Sequence, residues 1–229
     1  MKILACDFDD TLYFAENYDI NRNNIEAIRR FMSQGNTFII ITGRNYSDLK
    51  QILVKENIPY SYLICEDGAK IFNGVDYCLD TTGLSRYEVE KIVSIIEKNN
   101  WDYYLSDGYN NTNNYDDCVK IVIECSDEKR QKEIVDIINS QIPIHVYASR
   151  FHVNIIHNSV NKEKALKRLF NLENLDYSSL RVIGDNDNDY EMLKAFDGGV
   201  IKIHHKKLDS LEKKEYETLS DYIEELMKN

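Results

Sequence analysis

Short apolar runs that stop at polar residues are the feature that most restricts what this chain can fold into. The runs occupy residues 2–6, 37–41, 62–65, 180–185 and 199–203. Runs of this length suit strands that are buried on both faces, as in a parallel sheet. Segments with apolar residues at helical spacing lie between most of them, so the alternation predicts an α/β fold around a parallel sheet.

The helical segments have recognisable ends. The first helix is predicted over residues 24–32, with asparagines capping its start and Gly35 ending it. Other helices of the same domain are predicted around residues 49–53, 162–170, 188–196 and 219–227. The strand–helix alternation therefore occurs near both ends of the chain, which indicates a single sheet built from two separated parts of the sequence.

The pattern changes in the middle of the chain. Lys70–Tyr77 is typical of a hairpin with Asn73-Gly74 as its turn, and Ser85-Arg86-Tyr87-Glu88 is a capping box that starts a helix. Strand-like runs follow at 101–105, 118–123, 144–148 and 151–156, with a helix around 134–138. Partial alternation of apolar and polar residues in these runs indicates an antiparallel sheet that is buried on one face.

These patterns predict two domains in a chain of 229 residues. We assign residues 1–76 and 158–229 to a Rossmann-like core with a parallel sheet, and residues 77–157 to an inserted α+β domain. A chain of this length can form a core domain and a smaller second domain.

Composition limits the classes of partner. Hydrophobic residues make up 43% of the chain and charged residues 29%, so a core can be buried. The formal net charge of -11 repels nucleic acid and anionic lipid surfaces over a Debye length of about 8 Å, so neither is an expected partner. No stretch approaches the roughly 20 apolar residues that span a bilayer.

Cysteine usage indicates a cytoplasmic protein. The cysteines are Cys6, Cys65, Cys78, Cys118 and Cys125. They are odd in number and lack C-x-x-C spacing, so we expect reduced thiols and no zinc site. No feature of the sequence indicates the oligomeric state.

Carboxylates follow two of the apolar runs. Asp7-Phe8-Asp9-Asp10-Thr11 follows the first run, and Gly184-Asp185-Asn186-Asp187-Asn188-Asp189 ends a later one. Ligands bind beyond the carboxyl ends of parallel strands, and acids grouped there suit a hard cation. Simple turn or helix capping is the alternative. An EF-hand loop is excluded, because Tyr190 and Phe196 occupy its required Gly and Glu positions.

Thr42-Gly43 and Lys162 are weaker signals by themselves. A hydroxyl and exposed amides where a helix begins suit a phosphate group, but Thr-Gly is common in turns. A single lysine that opens a helix is most often a solvated surface residue. A purely structural role would explain Arg44 as well as a role in binding phosphate would.

Taken together, the four motifs occur in the order D-x-D-x-T, T-G, K and G-D-x-x-N-D. This series resembles the haloacid dehalogenase-like superfamily over essentially the whole chain. The position of the insert, between the second and third motifs, resembles the Cof-like group of sugar phosphatases with a type IIB α+β cap.

The resemblance implies a magnesium-dependent phosphatase acting on a phosphorylated small molecule, with residues 77–157 as the cap that selects the substrate. It implies that Asp7 is the nucleophile and that Asp9 is the general acid and base. It also implies Mg²⁺ ligation by Asp7, the Asp9 carbonyl and Asp185, with Asp189 in support. Phosphate-binding roles are implied for Thr42, Gly43, Lys162 and Asn188, the last by positioning either phosphate or Lys162.

Several residues depart from the family pattern. Glu66-Asp67-Gly68-Ala69 replaces an Asn-Gly-Ala run, Glu163 replaces glycine after Lys162, and His204-His205 lies in a loop that is usually rich in small residues. We expect the histidine pair to form a surface turn. Substrate contacts are expected from the polar segment 106–117, including Tyr109 and Tyr115, and from Arg150 and His152.

Three alternatives stay open at this stage. A phosphotransferase or mutase on the same core would pass the phosphoryl group to a sugar hydroxyl instead of water. A receiver-type signalling module uses similar residues but needs neither the insert nor the G-D-x-x-N-D motif. A catalytically silent metal-binding or scaffold protein is the third.

Overall fold

Two β-sheets organise the molecule. The computed structural model describes residues 1–149 and 151–228. Its strands are β1 (Ile3–Asp7), β2 (Thr37–Ile41), β3 (Tyr62–Cys65), β4 (Lys70–Asn73), β5 (Cys78–Thr81), β6 (Tyr103–Ser106), β7 (Asn111–Thr112), β8 (Lys120–Glu124), β9 (His145–Ser149), β10 (His152–Ile156), β11 (Leu180–Gly184), β12 (Gly198–Ile201) and β13 (Lys214–Tyr216). The larger sheet has the order β13-β12-β11-β1-β2-β3-β4-β5, and the smaller has the order β7-β6-β8-β10-β9.

The larger sheet confirms the predicted α/β fold. Its strands pair in parallel from β13 to β3, and β4 and β5 extend it as an antiparallel edge. Strand β1 lies between β11 and β2, where the chain order reverses. Parallel sheets bind ligands at the carboxyl ends of strands beside such a reversal. The acids that follow β1 and β11 therefore come together there.

Helices cover both faces of the larger sheet. The α-helices are α1 (Tyr18–Ser33), α2 (Tyr46–Glu56), α3 (Arg86–Lys98), α4 (Glu128–Gln141), α5 (Lys162–Glu173), α6 (Tyr190–Ala195) and α7 (Leu219–Lys228). Apolar residues of α1, α2 and α7 pack on one face, and those of α5 and α6 pack on the other. A sheet buried on both faces explains the nearly continuous apolar character of β1 and β2.

The smaller sheet is antiparallel and packs against α3 and α4. On β8, Ile121 and Ile123 point into this packing, whereas Lys120 and Val122 line a cavity that also contains Asp7. The partial alternation in the sequence thus marks a sheet with one face on its own helices and the other facing the site. The predicted capping box at Ser85 and Glu88 is present.

The chain crosses into the smaller sheet after β5. Cys78–Thr81 pairs with β4 in the larger sheet, so the predicted hairpin forms with a second strand later than the sequence indicated. We therefore propose that the inserted domain begins after Thr81 rather than at residue 77. Its end near residue 157 stays a prediction.

The start of α1 differs from the prediction. The helix begins at Tyr18, capped by Asn17, and the asparagines expected as caps lie inside it. Asn21 both donates to and accepts from the backbone of Phe14, and Asn24 donates to the carbonyl of Leu12. These side chains anchor the loop that carries Asp9, which explains why polar residues are buried in a helix.

Two short strands were not predicted. β7 and β13 consist mainly of polar residues and lie at the edges of their sheets, so neither carries a periodic apolar signal. The region predicted as a helix from Asn188 begins as a 3₁₀ turn at Asp187–Asp189 before α6. Within the described ranges, the structure contains no helix that is both long and apolar enough to cross a membrane.

Candidate active site

Lys162 lies at the centre of a buried group of carboxylates. It is the first residue of α5, and only 1% of its surface is exposed. Its Nζ lies 2.5 Å from Asp7 Oδ1 and 2.7 Å from Asp189 Oδ1. Burial by itself would lower the pKa of Lys162, but the charges of Asp189 and Asp7 outweigh burial and raise it. The lysine is therefore a fixed positive charge between two acids.

Asp185 completes this group from the end of β11. Thr11 Oγ1 donates a 2.6 Å hydrogen bond to Asp185 Oδ1. Oxygen atoms of Asp7, Asp185 and Asp189 lie within 4.8 Å of one another. Burial raises the pKa of Asp7, and burial together with the charge of Asp189 raises the pKa of Asp185 to about 6. Three acids thus lie close to one lysine, and the remaining negative charge can be relieved by a bound proton or by a second cation.

The chemistry of these donors fits magnesium. Mg²⁺ prefers oxygen ligands and is usually held by one or two carboxylates. Both oxygens of Asp189 are engaged, one with Lys162 and the other with the amides of Asp185 and Asn186 at 3.0 Å. Asp7 and Asp185 bind Lys162 and Thr11 through one oxygen each. They are therefore the carboxylates best arranged to hold the ion, with Asp189 holding the lysine and the loop.

Asp189 reaches this position because residue 184 is glycine. A Cβ atom at Gly184 would lie 2.5 Å from Asp189 Cγ, closer than two non-bonded carbon atoms can approach. The glycine of the G-D-x-x-N-D motif, Gly184, therefore leaves space for the last acid of the motif, Asp189. Any side chain here would displace the partner of Lys162.

Asp9 points away from the carboxylate group. It forms a two-pronged ion pair with Arg44, with Nε–Oδ2 at 2.9 Å and Nη2–Oδ1 at 2.7 Å. The hydrogen bond to Asp9 raises the pKa of Arg44. About 40% of the Asp9 side chain is exposed to the cavity and solvent. Asp9 is thus held at the edge of the site, and Arg44 is the residue that holds it.

Thr42 and Gly43 follow β2 beside Asp7. Thr42 is buried, and its hydroxyl accepts a 3.2 Å hydrogen bond from the amide of Arg44. A Cβ atom at Gly43 would lie 3.1 Å from Asp67 Oδ1, so a larger residue would press on that carboxylate. Both residues line the cavity that contains Asp7, and their role in binding phosphate stays a prediction.

Asn188 has a partner that the sequence did not indicate. Its Nδ2 donates a 3.0 Å hydrogen bond to Asp67 Oδ1, and no direct bond joins it to Lys162 among the residues described. Asn188 also lines the cavity. The observed contacts therefore place Asn188 beside Asp67 on the cavity wall, and its role in positioning phosphate or Lys162 stays a prediction.

The site opens into a cavity of about 430 Å³ between the two sheets. The core contributes Asp7, Asp9 and the residues of the T-G motif, and the smaller sheet forms the opposite wall. Acids at the ends of parallel strands, a buried lysine and a covering second sheet are the arrangement that the motif series predicted.

Comparison with known protein families agrees with this geometry. A family model described as haloacid dehalogenase-like hydrolase matches residues 4–115 and 106–201. The chain belongs to the haloacid dehalogenase-like hydrolases. It is therefore an enzyme of the hydrolase class, as the resemblance of its motifs implied.

Individual relatives of this hydrolase are distant. A protein of Buchnera aphidicola subsp. Baizongia pistaciae, named "Putative phosphatase", is 24% identical over 222 residues, which cover 83% of this chain and 82% of that protein. Among solved structures, a haloacid dehalogenase-like hydrolase from B. subtilis has a TM-score of 0.85 at 18% identity, covering 100% of this chain and 99% of that one. The HAD subclass IIB sugar phosphatase BT4131 has a TM-score of 0.81 at 17% identity, covering 100% and 98%. These structural matches confirm the fold of the hydrolase, including its second domain.

Several residues that line the cavity of the hydrolase escaped the sequence prediction. Asp67 of the core and Lys120 of the smaller sheet are buried, and the half-buried Tyr147 joins them beside Gly43 and Asn188. The sequence did single out Asp67, because this residue departs from the Asn-Gly-Ala pattern of the family. It did not single out Lys120, because a lysine in an alternating strand normally faces solvent.

The substrate contacts expected from Tyr109 and Tyr115 stay a prediction, which the observed packing does not support. Tyr109 packs against Tyr46 and Phe72 on the core, and Tyr115 packs within the smaller domain. Neither is part of the wall around Asp7, whereas His152 is. Arg150, the other expected contact, lies outside the described residues.

The His204-His205 pair follows a bend at residues 202–203 after β12; His205 is exposed as expected, whereas only 7% of the His204 side chain is exposed. The ring of His204 contacts the carbonyl of Ile201 and the carboxylate of Asp209. The amide of His205 donates a 2.7 Å hydrogen bond to the carbonyl of Asp185. This segment therefore supports the backbone of an acidic residue in the site.

Proposed function

We propose that this hydrolase is a magnesium-dependent phosphatase that cleaves phosphate monoesters of small metabolites through an aspartyl-phosphate intermediate. The observation that carries the proposal is the buried contact of Lys162 with Asp7, beside Asp185 and at the edge of the cavity. A carboxylate that attacks a phosphate dianion must first be surrounded by positive charge.

In the proposed first step, an oxygen of Asp7 attacks phosphorus, and the bond between phosphorus and the leaving oxygen breaks. Lys162 stabilises the charge that passes from the Asp7 carboxylate to the phosphoryl oxygens. Thr42, the Gly43 amide and Asn188 bind those oxygens. Asp9 donates a proton to the leaving alcohol, which departs towards the smaller domain.

In the second step, Asp9 removes a proton from water, which attacks the phosphorus of the aspartyl-phosphate. The bond between phosphorus and the Asp7 oxygen then breaks, and inorganic phosphate is released. Both oxygens of Asp9 bind Arg44 before substrate arrives. To act as an acid, one of these oxygens must leave the guanidinium group and take up a proton from solvent, and the substrate phosphate is an anion that can take its place beside Arg44.

The proposed ligands of magnesium are Asp7, the Asp9 carbonyl and Asp185, with Asp189 supporting them through Lys162. When bound, Mg²⁺ supplies positive charge that offsets the repulsion between the Asp7 carboxylate and the phosphate group. The donor set of clustered carboxylate oxygens supports this choice of ion.

Sugar phosphates are the substrate class we propose to test first. One structural neighbour is named as a sugar phosphatase. The cavity wall includes polar groups from Tyr104, Ser149, His152 and Asn154 that can hydrogen-bond to hydroxyl groups. We also propose that the enzyme works in the cytoplasm and without nucleic acid, which its free cysteines and negative charge support.

The test is hydrolysis of p-nitrophenyl phosphate, followed by a panel of phosphorylated sugars, nucleotides and cofactors. We expect Mg²⁺-dependent release of inorganic phosphate, loss of activity on chelation, and no turnover by Asp7→Asn. Asp136→Asn, an exposed acid on α4, is the matched control and should retain activity. Near-normal hydrolysis by Asp7→Asn would exclude Asp7 as the nucleophile. Phosphate release only in the presence of a second sugar would favour a phosphotransferase.

A further inference from the structure

Asp67 and Lys120 form a buried ion pair between the two sheets. Asp67 lies just after β3 of the larger sheet, and Lys120 is the first residue of β8 in the smaller one. Lys120 Nζ lies 2.8 Å from Asp67 Oδ2, and both side chains are about 95% buried, with exposures of 6% and 5%. Buried pairs of this kind are costly to form, so their positions call for a reason.

The three hydrogens of the Lys120 ammonium group are accounted for by protein oxygens. Besides Asp67, Nζ donates a 3.0 Å hydrogen bond to the carbonyl of Gly43 and lies 3.3 Å from Glu66 Oε2. An ammonium group has three donors, so this lysine has none left for a substrate. Lys120 therefore acts on the core of the protein rather than on a bound molecule, although it lines the cavity.

Asp67 connects this lysine to the phosphate-binding half of the site. Its Oδ1 accepts a hydrogen bond from Asn188 Nδ2 at 3.0 Å, and its Oδ2 accepts one from the Tyr147 hydroxyl. Its amide donates a 2.9 Å hydrogen bond to the carbonyl of Thr42. Burial by itself would raise the pKa of Asp67, but the charges of Lys120 and Lys162 and the hydrogen bonds from Lys120 and Tyr147 lower it well below its usual range. The carboxylate is thus ionised and bonded on both oxygens.

We propose that Asp67 and Lys120 are a positioning pair through which the smaller domain holds Gly43 and Asn188 in place for phosphate binding. The pair touches Gly43 through its carbonyl and Asn188 through its amide, and these groups come from different strand ends. Residue 67 is one at which this chain departs from the Asn-Gly-Ala pattern, and Lys120 supplies a charge opposite to that of Asp67 from the other sheet. The binding of phosphate by Gly43 and Asn188 is part of the proposed function, and the inference rests on it.

A double-mutant cycle tests the pair. Asp67→Asn, Lys120→Met and the double variant are compared for their Kd for inorganic phosphate in the presence of Mg²⁺, measured by calorimetry, and for KM and kcat with p-nitrophenyl phosphate. Asp67→Asn leaves Lys120 with Glu66 as its one acidic partner, and Lys120→Met leaves both buried acids without this cation, so we expect the Kd for phosphate and KM to rise about tenfold or more. The double variant removes both charges of the pair, retains an oxygen at residue 67 for Asn188 and leaves Glu66 with its hydrogen bond from Ser106, so it should return to within about threefold of wild type.

Matched controls and a milder variant complete the design. Arg86 and Asp116 form an exposed ion pair on the smaller domain, so Arg86→Met and Asp116→Asn make the same charge changes and should leave the Kd unchanged. Tyr147→Phe removes one hydrogen bond to Asp67 without a change of charge. It should raise the Kd about two- to fivefold, and it carries the test if Asp67→Asn fails to fold.

Two outcomes would overturn the positioning pair. One is unchanged phosphate affinity in the single variants or in Tyr147→Phe, and the other is a double variant with the sum of the single effects. Absence of phosphate binding and hydrolysis in the wild-type chain counts against the proposed function instead. Loss of kcat without a change in KM or Kd is a case of the first outcome, because positioning of a binding residue must alter affinity.

Discussion

Lys162 Nζ lies 2.5 Å from Asp7 Oδ1, although 155 positions separate the two residues in the chain. Asp7 ends the strand at the centre of the larger sheet, and Lys162 begins the first helix after the insert. The contact therefore depends on the chain returning to its first domain after building a second. It joins the proposed nucleophile to the only cation within hydrogen-bonding distance of it among the described residues.

The first prediction concerns this contact. Lys162→Met should lower the free energy of unfolding by about 3–5 kcal/mol, because Asp7 and Asp189 would be left as buried carboxylates without a counter-charge. Urea unfolding followed by circular dichroism measures the change. Lys164→Met, an exposed lysine on the same helix, is the control and should change the free energy by about 0.5 kcal/mol or less. Similar stabilities for the two variants would show that the carboxylates do not depend on Lys162.

The second prediction concerns magnesium. Mg²⁺ should raise the melting temperature of the wild-type protein, and each tenfold increase in free Mg²⁺ above its Kd should add about 1.4 kcal/mol of stability. Asp185→Asn removes a proposed ligand and should abolish most of this effect. Asp136→Asn should retain it. Thermal scans across a Mg²⁺ series make the measurement, and equal stabilisation of Asp185→Asn and wild type would remove Asp185 from the proposed site.

The third prediction separates catalysis from stability at Asp9. Asp9→Asn should lower kcat by about 10²–10⁴-fold, because neither the leaving alcohol nor the attacking water would have its proton carrier. Its free energy of unfolding should change by only about 0.5 kcal/mol, because the ion pair with Arg44 is partly exposed. Steady-state kinetics and urea unfolding of one preparation test both statements. A variant that unfolds readily, or one that keeps its kcat, contradicts the assigned role.

The fourth prediction concerns pH and the buried ion pair. The pKa of Asp67 is lowered in the folded protein, so its ionised form stabilises the fold above the unfolded value of about 3.9. That contribution is lost as the pH falls towards the folded pKa. The stability advantage of wild type over Asp67→Asn should therefore be full at pH 6 and smaller at pH 3.

Urea unfolding at several pH values measures this difference. Asp116→Asn is the control, because its carboxylate is exposed and its pair with Arg86 contributes little. A constant difference between wild type and Asp67→Asn across this range would mean that the Asp67 charge adds nothing to stability.

The strands and the central helices could be predicted largely from sequence. β2 and β3 have the predicted bounds, because apolar runs buried on both faces end sharply at polar residues. The start of α1 was predicted too late, because Asn21 and Asn24 are typical of caps and only their contacts with the loop at residues 12–14 explain their burial. Edge strands β7 and β13 were missed because short polar strands have no periodic signal.

The sequence by itself determined the fold class, the family and the set of polar residues at the strand ends. It could do so because parallel strands bring their carboxyl ends to one edge, and therefore bring together whatever residues follow them. Only the tertiary structure decided the partners of those residues, such as Arg44 for Asp9 and Asp67 for Asn188. The contact of Asp67 with Lys120 spans 53 positions and depends on how the two sheets face each other. Its contact with Asn188 spans 121 positions and joins the ends of two strands of the larger sheet. No local pattern encodes such packing, because a buried lysine and a solvated one have the same sequence signature.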